Sequence, residues 1–236
     1  MEMEKPCIDK LFTGGVKQLG NPNAENKLEQ PWKSGIFKKE TEKAVFLSKT
    51  GFTGDDVADK KNHGGPEKAA FAYAAKHYAH WRHELGIDIA PGGNGENLSV
   101  TEMDEASVCI GDTYHVGEAL VQVSQPRRPC WKPARRHGIL DLALRIQKTG
   151  RTGWYFRVLE EGRVKAGDGF HLTSRPYPEW TVRTANEVMY EQKDNMSLTE
   201  SLASCELLAD NWKNTLNKRL IGKEGGIDKR VYGPNR

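Results

Sequence analysis

The stretch Ala119-Leu120-Val121-Gln122-Val123-Ser124-Gln125-Pro126-Arg127-Arg128-Pro129-Cys130-Trp131-Lys132-Pro133 changes character half-way along. Ala119, Val121 and Val123 alternate, so they face one side of a strand. The strand then runs into a turn stiffened by prolines, which fix φ and limit the entropy of a loop. One cysteine, Cys130, sits in that turn with Arg127, Arg128, Lys132, Arg135 and Arg136 close by in sequence. Nearby cations favour thiolate over thiol. Thiolate is the form that binds a soft metal or attacks as a nucleophile. The same cations suit phosphate through charge-assisted hydrogen bonds. A plainer reading, a buried structural cysteine beside a solvated basic loop, carries about equal weight on these residues alone.

Period two extends over residues 98–125, and Gly111-Asp112 and Gly167-Asp168 interrupt β-like sequence as turns or bulges. Trp154-Tyr155-Phe156-Arg157-Val158 and the stretch around Val164 flank Glu161-Gly162, which predicts a hairpin. A helix is predicted from about Leu140 to Lys148, closed by Gly150. Nearer the start, Leu11-Phe12-Thr13 and Ala44-Val45-Phe46-Leu47 read as strands, and Gly20-Asn21-Pro22-Asn23 onward to Pro31 reads as a loop. A longer helix is predicted between Pro66 and Gly86. Proline is tolerated at a first helical position; Ala70, Ala74, His77, Tyr78, Trp81 and Leu85 share one helical face. Many short strands with glycine punctuation predict a mainly β fold, a barrel with helical insertions, over residues 1–177.

After Pro176 and Pro178 the strand signal ends. Residues 178–222 predict a small three-helix domain. Ser197 and Glu200 form a capping-box pattern, and Asp210 is placed to cap a helix holding Trp212, Leu216 and Leu220. Such short helices cannot bury an apolar face alone, so they must pack together or on the barrel. Lys223 to Arg236 is glycine-rich and charged and is expected to be a loose, flexible tail.

The 236 residues suffice for one sizeable core plus an appendage. The proportions of 37% hydrophobic and 28% charged residues are those of a soluble globular chain. No run of about 18 apolar residues exists, which excludes a membrane-spanning helix. The opening Met1-Glu2-Met3-Glu4-Lys5-Pro6 is polar and lacks the apolar centre of a secretory signal. A net charge of +3 argues against general nucleic-acid binding but leaves room for a local basic pocket. Cys7, Cys109, Cys130 and Cys205 are scattered, without a CxxC pair or zinc spacing, so reduced thiols and a cytoplasmic location are expected.

Two further segments bear on chemistry. Lys60-Lys61-Asn62-His63-Gly64-Gly65-Pro66 would place glycines and free N–H groups at the start of the long helix, with His63 and Lys60 as side-chain donors to an anion. A plain loop and cap is favoured there by about two to one. Pro91-Gly92-Gly93-Asn94-Gly95-Glu96-Asn97-Leu98 is dense in glycine but fits neither a phosphate-binding P-loop nor a dinucleotide fingerprint. Cys109 and Cys205 read as packing residues, Cys7 as lying near a flexible terminus, and His77 as a packed histidine. His80 and His83 lack partners at metal spacing.

Taken together and in order, these segments resemble the MOSC family, and most closely its YiiM-like branch. The resemblance rests on His63-Gly64-Gly65-Pro66, Gly95-Glu96-Asn97-Leu98, Ile110-Gly111-Asp112 and Val123-Ser124-Gln125-Pro126-Arg127 with Pro129-Cys130. The helical end resembles the 3-alpha domain that follows YiiM-like MOSC domains. The stretch Asn23–Lys33 is longer than in the family, and Pro133 stands where an aliphatic or aromatic residue is usual. The resemblance implies a MOSC-type β-barrel that binds a molybdopterin-type molybdenum cofactor, with Cys130 as the thiolate ligand of molybdenum. It implies that Lys60, His63, Asn97 and Arg127 line the cofactor pocket; Arg128 and Lys132 are added as cofactor-binding residues on the loop's own charge. It also implies reduction of N-hydroxylated compounds, such as hydroxylaminopurines, with His63 assisting proton delivery or binding an anion. The chain carries no flavin, haem or iron–sulfur motif, so a separate reductase would supply electrons. Three other readings stay open: a sulfur carrier with a persulfide on Cys130, a module that stores or delivers cofactor without turnover, and a domain that binds a phosphate ligand.

Overall fold

The computed structural model describes residues 5–236; Met1 to Glu4, on which part of the leader reading rests, lie outside the described residues. The elements run β1 Cys7–Thr13, β2 Lys17–Leu19, β3 Trp32–Ser34, β4 Lys39–Thr41, β5 Val45–Ser48, β6 Gly51–Phe52, α1 Lys60–His63, β7 Ala70–Ala74, α2 His77–Leu85, β8 Leu98–Thr101, β9 Thr113–Val116, β10 Ala119–Pro126, α3 Lys132–His137, α4 Leu142–Thr149, β11 Trp154–Glu160, β12 Gly162–Val164, β13 Phe170–Ser174, α5 Val182–Tyr190, α6 Met196–Ala203, α7 Asp210–Leu220 and α8 Asp228–Val231. Eight strands form one sheet in the order β13-β9-β10-β11-β7-β8-β1-β4, antiparallel except where β7 meets β8. The sheet curls back on itself. Ile8 N–H donates to the Asp168 carbonyl at 3.0 Å and Phe170 N–H to that of Pro6 at 2.9 Å, tying β1 to the approach to β13. The architecture is thus mixed α/β: a large curled sheet with helices on both faces. The named strands run from β13 to β4, and an antiparallel bridge between Cys7 and Gly169 brings the start of β1 beside β13.

The long helix expected between Pro66 and Gly86 is not formed as such. A single 3-10 turn, Pro66–Lys68, leads into β7, and only His77–Leu85 is helical. The reason lies in Ala70-Phe71-Ala72-Tyr73-Ala74, whose five residues are all buried between β11 and β8. A strand buried on both faces shows no polar alternation. Its period is nonetheless two: Ala70 and Ala72 enter the main core, while Phe71 and Tyr73 join a second cluster with Tyr78, Trp81 and Tyr155. The hairpin at Glu161-Gly162 is also absent, because β12 pairs with β5 rather than with β11.

The three helices after Pro178 do form and share the main core with the sheet: Val182, Leu202, Trp212 and Leu216 lie in one cluster with Trp154 and Phe156. Trp212 Nε1 donates to the Pro126 carbonyl at 3.1 Å, tying α7 to the end of β10. Asn195, not Ser197, caps α6, its side chain accepting from Leu198 N–H at 3.0 Å. Asp210 lies in the first turn of α7, where a carboxylate suits the helix dipole, and Ala209 holds the cap position. The residues after 222, expected to be loose, carry α8 and a further 3-10 turn, and Val231 is fully buried against Ala143 of α4.

Candidate functional site

The end of β10 delivers the reactive segment. Arg127 N–H still bonds the Gly153 carbonyl at 3.0 Å. The chain then turns through Pro129 and Cys130 into α3, whose first turn accepts Pro133 because an N–H there would have no helical partner. Cys130 forms part of a pocket of about 790 Å³, open to solvent at its mouth. The facing walls come from residues 55–64, from Asn94 to Asn97, and from Ser34 to Lys38. Gly95 admits no side chain. It holds φ +81°, and a Cβ would stand 2.8 Å from that of Ile36.

The electrostatics favour a thiolate. Burial pushes the Cys130 thiol up, but the facing His63, the Arg127 charge and the Lys132 backbone N–H together bring it down to about 6. Arg127 is itself buried, with its guanidinium 4.9 Å from the Phe71 ring centre and its Nη1 without a hydrogen-bond partner. Asn94 is 2% exposed, and neither Nδ2 nor Oδ1 of its amide has a partner. Each such group costs about 1–3 kcal/mol unless something satisfies it. Lys68 lines the same space, its ammonium pulled down mainly by burial. Tyr155 is pushed up to about 12, mainly by burial, and stays a protonated phenol. A buried Lys38–Asp55 ion pair closes one side.

Of the residues predicted for the site, Cys130, His63, Asn97, Arg127 and Lys132 line the pocket, and Lys60 and Arg128 do not. Lys60 starts α1 and points outward, 77% exposed beside Asp56, whereas His63 at the other end of that turn faces Cys130. Arg128 turns to the opposite side of the strand end and donates to Thr215 Oγ1 on α7 at 2.7 Å. Asn97 has no free N–H for a ligand. Its Oδ1 accepts from Phe71 N–H, and its Nδ2 donates to the Phe12 carbonyl and, at 2.9 Å, to Asp55. The glycine-rich segment at His63 does not start a long helix; α1 has four residues and is capped by Asp59. Asn94, Lys68, Lys38, Asp55 and Tyr155 were not singled out in the sequence. Asn94 alone carried a signal, as the polar residue inside the glycine run.

His77 is packed as expected, with Nε2 2.6 Å from Glu105. All four cysteines are unpaired. Cys109 and Cys205 are buried, and Cys7 lies in β1. Among the described residues no three His, Cys, Asp or Glu side chains converge as a metal cage. No helix among them is long and apolar enough to cross a membrane.

The MOSC domain matches residues 59–171, and the YiiM-like, 3-alpha helix domain matches residues 180–221. The YflK protein of Bacillus subtilis (strain 168) is 41% identical over 201 residues, covering 85% of this chain and 91% of that one. The chain belongs to the YiiM-like MOSC family. The crystal structure of YiiM from Geobacillus stearothermophilus superposes with a TM-score of 0.76 at 32% identity, over 91% of this chain and 99% of that one. A protein of Gibberella moniliformis (strain M3125 / FGSC 7600) named reductase is 39% identical over 179 residues, 74% of this chain but 31% of its own length. The MOSC match takes in His63, Lys68, Asn94, Arg127, Cys130, Lys132 and Tyr155, whereas Lys38 and Asp55 precede it.

The donor set fits the cofactor that the MOSC family implies. A buried thiolate is a soft single-point ligand, and the unpartnered Arg127 and Asn94 groups, with Lys68 and Lys132, offer hydrogen bonds and charge to an anionic, heteroatom-rich molecule.

Proposed function

We propose that this chain is a molybdenum-cofactor-dependent reductase of N-hydroxylated compounds, including hydroxylaminopurines, with Cys130 as the ligand of the metal. The observation that carries this reading is the buried Cys130 thiolate facing a buried guanidinium with an unpartnered Nη1. When bound, the molybdenum cofactor supplies the two-electron chemistry by which the nitrogen–oxygen bond of the substrate is reduced. The chain's residues do the rest. Cys130 provides the soft donor at the bottom of the pocket. Arg127, Lys68 and Lys132 hold the phosphate end of the cofactor, and the Asn94 amide offers one donor and one acceptor to its ring system or to the substrate. His63, against the thiol, places an imidazole where it can pass a proton to the substrate oxygen. Burial keeps Tyr155 protonated as a second donor.

The chain has no redox motif of its own, so electrons come from a separate reductase in the cytoplasm. The Gibberella relative named reductase supports this, since most of its length lies beyond the part that resembles this chain. The test is turnover. Protein produced with active cofactor synthesis is supplied with 6-N-hydroxylaminopurine and an artificial low-potential donor, and adenine is measured. Adenine formation that requires Cys130 is expected. Cyanolysable sulfur on Cys130 with no adenine would instead identify a sulfur carrier.

A further inference from the structure

The loop that carries Cys130 is held by a segment outside both family matches, the second of which ends at residue 221. Arg230 of α8 brackets the cysteine. Its Nη1 donates to the Pro129 carbonyl, and its own backbone carbonyl accepts the Trp131 N–H at 3.0 Å. The peptide groups before and after Cys130 are therefore tied to one residue. The Arg230 Nη2 donates to Gln147 Oε1 on α4 at 2.9 Å, anchoring the guanidinium to a helix.

Asn235 closes the arrangement. Its Nδ2 donates to the Trp131 carbonyl at 3.3 Å, and its Oδ1 accepts from Arg135 Nε at 2.7 Å. Arg135 in turn donates from Nη1 to the Gln30 carbonyl at 2.8 Å, so the long 23–33 segment docks on the same unit. Gly233 lies flat against the Trp131 ring, where a Cβ would stand 2.3 Å from Cδ1. Pro129 and Pro133 stiffen the loop locally but fix only their own φ angles. They do not decide where the loop sits relative to His63 and Arg127, and a misplacement of about 1 Å is enough to weaken a reactive site.

We propose that Arg230 and Asn235 are positioning residues for Cys130, fixing the backbone on both sides of the thiol so that it faces the cations of the pocket. This rests on Cys130 being the reactive group of the pocket and is independent of the metal and of the substrate, so it can fail while the reductase reading stands.

The test uses the full-length ligand-free chain and two local readouts: hydrogen exchange of the peptide 129–135, and alkylation of Cys130 by iodoacetamide at one fixed pH, followed by peptide mass spectrometry. Arg230→Met is expected to speed exchange of that peptide about tenfold or more, with β7 and β11 unchanged. It should also alter Cys130 alkylation about fivefold in one direction or the other, because release both exposes the thiol and removes it from its cations. Arg230→Lys, which keeps a cation within reach of the Pro129 carbonyl, should restore most of both. Asn235→Ala, a milder change, should move both readouts the same way as Arg230→Met and decides the matter if Arg230→Met does not fold. Alkylation within twofold of the parent protein, in variants whose strands keep their protection, would overturn the proposal.

Discussion

The pocket around Cys130 and the hollow around His77 are both lined by charge, but they use it differently. In the hollow, which lies between α2, α4 and α5, several charged groups on the wall and rim are paired. His77 meets Glu105 at 2.6 Å, Lys76 meets Asp104 at 2.5 Å, and Arg151 meets Glu84 at 2.7 Å. Glu105 also accepts the Gly153 N–H at 2.8 Å, so it serves the backbone of a turn. Around Cys130, Arg127 and Lys132 have no acidic partner within ion-pairing distance among the described residues, and Lys38–Asp55 is a buried ion pair on the wall. Paired groups of this kind support a fold, whereas a buried cation without a counter-charge is the pattern that marks a candidate binding site.

The comparison predicts opposite responses to mutation. Arg127→Met should weaken cofactor retention by about 10- to 100-fold, the worth of one charge-assisted contact of about 1.5–3 kcal/mol. The same change should leave ligand-free stability in urea unchanged or raised at about pH 5, where Cys130 is a thiol, because it removes an unsatisfied buried donor. His77→Leu should do the reverse. Removing the hydrogen-bond partner of the buried Glu105 Oε2 should cost about 1–3 kcal/mol of stability, with cofactor retention per folded molecule within twofold. If His77→Leu empties the Cys130 pocket while Arg127→Met does not, the division between the two regions is wrong.

A pH dependence sharpens the same contrast. The Cys130 thiol is held at about 6 in the fold, below the roughly 8.5 of a free cysteine. A group depressed on folding contributes stability above its unfolded value and loses it as pH falls through its folded value. The urea midpoint should therefore fall between about pH 8.5 and pH 6 by more in the parent protein than in Cys130→Ala. Alkylation of Cys130 in the ligand-free protein should reach half its limiting rate near pH 6, and His63→Ala should move that midpoint upward. The smallest effect is expected at Lys60, which lies outside the pocket. Lys60→Ala should alter stability by less than about 0.5 kcal/mol and leave cofactor retention unchanged.

What could be read in the sequence follows a physical divide. Local chemistry was legible. The period of Ala119, Val121 and Val123 became β10, Gly86 and Gly150 became left-handed helix ends, and of the cations next to Cys130 in sequence Arg127 helps lower its thiol, behind the more distant His63. Long-range placement was not. Arg127 and Arg128 are neighbours in sequence, yet one enters the pocket and the other reaches α7, because successive side chains leave an extended chain on opposite sides. Lys38 and Asp55 meet the site only through the fold, from segments whose local pattern says nothing of chemistry. Ala70 to Ala74 misled because small and aromatic residues fit a helix face and a doubly buried strand equally well. The final residues looked loose because their charge and glycine content hide the hydrogen bonds that their side chains make to the backbone of the Cys130 loop.

The most direct test of the central claim is the molybdenum content of the purified protein and of Cys130→Ala, both produced with active cofactor synthesis alongside a molybdoenzyme known to load. About one molybdenum per chain in the parent protein and none in Cys130→Ala is the predicted result, as expected for a single thiolate ligand. A parent protein free of molybdenum while the control loads, or equal metal in both forms, would contradict it.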